Sequence, residues 1–144
     1  MVVTLSSPDP NDHERQVAQD CFKRGTAAMM NQNWEYACQM FRTAVELVPG
    51  NLLFRRSLRG VTERRYQDNG TGASMASMKL RTTKASIREC QMRGDWKSIA
   101  KLCESGLAIN SWDHALHLDL GNALRSMGYE EVAVWCFQRA AELE

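Results

Sequence analysis

Residues 94–109 read GDWKSIAKLCESGLAI, and residues 128–143 read GYEEVAVWCFQRAAEL. Set one above the other they share a frame of 34 residues, so that Gly94, Ile99, Cys103, Gly106 and Ile109 fall on Gly128, Ala133, Phe137, Ala140 and Leu143. Beyond each opening glycine, apolar and small residues return at steps of three and four, the spacing that lines one face of an α-helix. The intervening residues read as helix, turn, helix. A fixed period of this length with two helices per unit marks an array in which no unit buries its own apolar face, so that neighbours must stack.

Towards the N-terminus the same grammar appears. Val17, Cys21, Gly25 and Ala28 share one helical face, Asn31-Gln32-Asn33 forms a polar turn, and a second helix from Trp34 carries Ala37, Phe41, Ala44 and Val48. Pro49-Gly50 ends that helix. Asn11 or Asp12 is placed to cap the first helix, with Glu14 in its first turn. Residues 1–11, with Ser6, Ser7, Pro8 and Pro10, read as a mobile tail.

Gly25, the Ala37-x-x-x-Phe41 string, Ala44 and the closing Pro49 resemble the tetratricopeptide repeat. Leu80 to Asp113 resembles it with Ile87 where a glycine is usual, and His114 to Glu144 follows it more closely through Leu120-Gly121-Asn122-Ala123, Gly128, Ala133, Phe137 and Ala140. The spacing has a physical reason: small Gly25, Ala37 and Ala44 let two helix axes approach, and Phe41 fills the groove between them. The resemblance implies an all-α, right-handed α-solenoid of helix pairs, with about seven helices. Repeats are expected at 18–51, 80–113 and 114–144, and 12–144 forms the domain. Between them, residues 52–79 read as a degenerate second repeat with a flexible insert. Leu52 to Tyr66 reads as a helix, Asp68 to Ser74 as a loop, and helical character returns near Met75. Trp34 and Trp96 are 62 residues apart, six short of two periods. A long 74–93 helix partnering 52–66, or an odd helix that pairs between chains, would each account for the shortfall.

Charge is unevenly distributed. Residues 52–93 carry Arg55, Arg56, Arg59, Arg64, Arg65, Lys79, Arg81, Lys84, Arg88 and Arg93 against Glu63, Asp68 and Glu89, while the segments on either side are net acidic and the whole chain is +1. A basic middle is an electrostatic footprint for an anionic partner; its bland counterpart is a solvated face. Arg81, Lys84 and Arg88 stand three and four apart, hence on one face. In the family resembled, the first helix of each pair lines a concave groove, which implies a peptide-binding set of Arg81, Lys84 and Arg88, with Arg55 and Arg59 on the preceding helix and Asn122 and Arg125 from the last repeat. Arginine can grip carboxylates bidentately. The subfamily that clamps chaperone C-termini places lysine and asparagine where this chain has Phe22 and Thr26, and that departure argues against such a clamp.

Other constellations carry less. Phe22, Met29 and Met30 read as core before they read as an anchor pocket. His114 and His117 lack a third ligand at fitting spacing, so no metal and no cofactor is expected. None of the G-x-S-x-G, H-E-x-x-H or P-loop patterns occurs, and an enzyme reading has no residue-level support. Cys21, Cys38, Cys90, Cys103 and Cys136 show no C-x-x-C, and the chain opens without a signal-like layout and has no long apolar run, which together point to the cytoplasm. Val132, Val134, Trp135 and Leu143 on the last helix suggest a homo-oligomer as one outcome. The expected function is a non-catalytic protein–protein adaptor that holds an acidic or extended peptide in a basic groove. The alternatives are an anionic polymer such as RNA, a membrane surface, or a self-associating scaffold.

Overall fold

The structure, a computed structural model, describes residues 9–144. Most of the expected N-terminal tail therefore lies outside the described residues. The described residues form seven α-helices and no strand: α1 (Asp12–Met30), α2 (Trp34–Leu47), α3 (Leu52–Arg65), α4 (Ala76–Arg93), α5 (Trp96–Ile109), α6 (His114–Ser126) and α7 (Glu130–Glu142). They divide into two compact units, with the boundary between Asn69 and Gly70. That boundary falls inside the segment the sequence assigns to a degenerate repeat.

In the unit before the boundary, Asn11 caps α1 with a reciprocal pair of bonds. Its side chain accepts from the Glu14 N–H at 2.7 Å, and the Glu14 carboxylate accepts from the Asn11 N–H at 3.0 Å. The turn 31–33 folds α2 back along α1. The close approach is made at Gly25, where a Cβ would stand 2.6 Å from the Phe41 ring. Phe22 then packs its ring 5.4 Å from Phe41 and 5.1 Å from Phe54 of α3, which closes the core of this unit.

The unit after the boundary repeats this construction. Gly121 on α6 meets Phe137 on α7 with the same 2.6 Å approach, sixteen residues apart as in Gly25 and Phe41. The α4–α5 pair inverts it: Ile87 and Cys103, both fully buried, occupy the same two positions. The larger of the two residues here stands on the first helix instead of the second, and both are buried. Ile87 is thus the counterpart of Cys103 and no defect in the pattern.

Helix ends identify helix type. Asn33, Asp95 and Tyr129 donate their N–H to Ala28, Cys90 and Leu124 carbonyls at 2.8, 2.9 and 2.9 Å, each closing a first helix. The preceding residue has positive φ in every case, at Gln32, Gly94 and Gly128. The same closure recurs on α3, where Asp68 donates to the Glu63 carbonyl after Gln67 at φ 56°. By this criterion α3 ends as a first helix does, and so does α4. No second helix stands between them, only residues 66–75.

That segment has a definite course. Ala73 donates its N–H to the carbonyl of Ile109 at 2.8 Å, and Gly72, at φ +77°, lies so close to the end of α5 that a Cβ would fall 2.7 Å from Asn110 Cα. Only glycine meets both demands. Within the segment that the sequence reads as a flexible insert, residues 72 and 73 are thus tied to the end of α5.

Candidate functional site

The basic residues named from sequence fall into two groups with opposite fates. On α3 the core face is Phe54, Leu58 and Val61, and this phase also buries Arg55 and Arg59, which are 2% and 3% exposed. Arg55 Nη2 donates to the Pro49 carbonyl at 3.1 Å, which ties it to the chain preceding its own helix. The exposed face of α3 instead carries Leu53, Arg56, Gly60 and Arg64. The spacing of Arg55 and Arg59 is correct for a shared face, but the face lies about one residue, or 100°, from the one open to solvent. Centring the helix on Phe54, Leu58 and Val61 would have nominated Arg56.

On α4 the expectation of a shared face holds, and the three residues differ in state. Lys84 Nζ reaches Asp113 Oδ2 at 2.7 Å. The other oxygen of Asp113 accepts the Leu116 N–H at 3.0 Å and caps α6. Two turns further along α4, Gln91 Nε2 donates to Asp119 Oδ1 at 3.2 Å. Burial pushes the Asp119 carboxyl above its ordinary range, against the opposing pull of the Gln91 bond and the Lys84 charge. These two bridges tie α4 to α6. Arg81 and Arg88, on the same side of α4, are exposed and engage no acidic side chain.

Asn122 and Arg125 sit together on α6. Arg125 Nη2 donates to Asn122 Oδ1 at 3.3 Å, and its guanidinium lies 5.3 Å from the centroid of the Phe137 ring. Arg125 is nonetheless exposed. Leu118, one turn before Asn122, is 41% exposed and adds an apolar element that the sequence reading did not name.

The other candidates resolve into structure. Phe22 and Met29 pack on the core, while Met30 is exposed. Thr26 donates its hydroxyl to the Phe22 carbonyl. His114 Nδ1 and His117 Nε2 face the carbonyls of Ala140 and Ser111 at 2.8 and 2.6 Å, so the two rings serve different neighbours. Among the described residues no group of three or more His, Cys, Asp or Glu is arranged to hold a metal, no disulfide joins any of the five cysteines, and no helix is long and apolar enough to cross a membrane. Cys38 is half-buried against Thr62, and burial pushes its thiol up, away from the reactive thiolate. Of the last-helix residues, Val132 is buried and Val134 exposed, with Trp135 and Leu143 between.

Neither a protein-family model nor a curated protein matches this chain.

Proposed function

We propose that this protein is a non-catalytic, tetratricopeptide-like adaptor that holds an acidic segment of another protein on the α4–α6 face. The helix-hairpin construction supports the repeat reading: a shared sixteen-residue contact and a shared turn closure recur along the chain. One observation carries the binding reading. The carboxylates nearest the face, Asp113 and Asp119, are engaged by Lys84 and Gln91, while Arg81, Arg88 and Arg125 stand exposed beside them. Lys84 offsets the Asp113 charge, while neutral Gln91 leaves that of Asp119 in place, so the three arginines outnumber the remaining carboxylates, Asp119 and exposed Glu89. Leu118 and Asn122 give the face one apolar and one polar contact. Lys84 acts in this reading as a brace, and Arg55 and Arg59 are no part of the contact.

The test is fluorescence anisotropy with a labelled glutamate-rich peptide and with a single-stranded RNA of similar charge. Peptide binding that falls with added salt and is lost in Arg81→Glu/Arg88→Glu, with helicity retained, is the expected result, since exposed charge contacts are screened beyond about 8–10 Å. RNA bound more tightly than peptide would replace this reading with nucleic-acid binding.

A further inference from the structure

The outward side of α4 carries a pattern that a charge count does not capture. Met78 and Met92 are 58% and 89% exposed, and Ala85, exposed as well, stands midway between them. The three are seven residues apart, so they form one stripe that runs almost along the helix axis for about 21 Å. Met75, also exposed, extends the stripe at its N-terminal end. Arg81 and Arg88, again seven apart, flank one side of it, and Thr82 and Glu89 flank the other. The opposite side of α4 is the buried one, with Leu80, Ile87 and Cys90.

From this juxtaposition we infer that α4 docks an amphipathic helix with an acidic flank, through the Met78–Ala85–Met92 stripe and the Arg81/Arg88 row. This inference rests on the acidic-partner reading and specifies the form of the partner. The seven-residue step on α4 spans about 10.5 Å, and a partner helix that also repeats every seven residues keeps in step with it at a crossing of about 20°. A β-extended peptide covers that distance in about three residues, which places successive contacts on opposite faces. Small Ala85 lets the axes approach at the crossing, and methionine at either end adapts to varied apolar side chains. Charge fixes the flank: acidic residues of the partner lie along Arg81 and Arg88, away from Glu89. An antiparallel second copy of α4 fits this rule poorly, because pairing about Ala85 brings Arg81 of one chain to Arg88 of the other, like charge against like.

The probe is a labelled four-turn peptide with leucine at heptad positions and glutamate along one flank, titrated into the full chain. Its control has the same composition with the leucines redistributed to break the heptad. The expected result is that the heptad peptide binds at least roughly tenfold more tightly than the control. Ala85→Glu and Met78→Ser/Met92→Ser, both at exposed positions and checked by circular dichroism, should each remove that preference. Equal binding of the two peptides would overturn the helical inference and leave the acidic-partner reading standing. Failure of both to bind would overturn both. A concentration-dependent mass abolished by Met78→Ser/Met92→Ser would assign the stripe to a second copy, and so overturn the inference as well.

Discussion

The pair Ile87 and Cys103 shows how a single position is read correctly only with its counterpart. Elsewhere the first helix supplies glycine and the second phenylalanine, as in Gly25 and Phe41. Filling the glycine slot there should be costly: Gly25→Leu or Gly121→Leu is expected to destabilise by about 1–3 kcal/mol through overpacking, measured by urea unfolding. For the inverted pair, Ile87→Gly and Cys103→Phe should each destabilise, and the double variant should recover much of the sum, a coupling that a double-mutant cycle measures directly. Additive losses would show that the two positions do not share a volume. Asp119 gives a pH signature. Its folded-state carboxyl lies above the ordinary range because of burial, so the folded chain holds that proton more tightly than the unfolded one. Its contribution to stability is present below the ordinary carboxylate range and is lost as pH rises from there through the raised value. Asp119→Asn should flatten this part of the stability–pH curve, as followed by denaturant titration at successive pH values.

Helix ends behave as units with a shared rule. Gly94 and Gly128 meet the left-handed closing position without strain, while α1 and α3 place Gln32 and Gln67 there. Replacing Gln32 by glycine should stabilise by up to about 1 kcal/mol in thermal unfolding, because the side chain's left-handed penalty is relieved. Asp113 joins two functions at the other end of a helix, capping α6 and receiving Lys84. Asp113→Ala should cost about 1–2 kcal/mol and loosen α6 against α4. Part of this level was legible in sequence: Asn11 caps α1 as expected, and α2 and α3 start at Trp34 and Leu52, just past the turn at 31–33 and the stop at Pro49-Gly50. The sequence also reads 52–66 as a first helix that lacks its second, and the closure at Gln67-Asp68 is of the kind that ends α1, although neither residue announces a left-handed turn.

For the whole molecule, the described residues form two compact units that meet in the segment read as a degenerate repeat. Each has its own core, so local stability should divide in the same way. Phe41→Ala, which removes a fully buried ring, should cost about 3–5 kcal/mol and accelerate amide exchange in α1–α3 more than in α4–α7. Equal acceleration in both would show one cooperative unit. The sequence by itself determined the helical class, the number of helices and the turn positions, because periodicity and caps are local and each helix's apolar stripe is written in its own residues. It also located the excess of basic charge and chose Arg81, Lys84 and Arg88 as one face. Only the tertiary structure decided which charges are available. Arg55 and Arg59 are buried because Phe54, Leu58 and Val61 set the rotation of α3, and Lys84 is engaged because Asp113, twenty-nine residues away, comes within hydrogen-bonding reach. Exposure and pairing depend on what packs against a helix, and no helix carries that information within its own sequence.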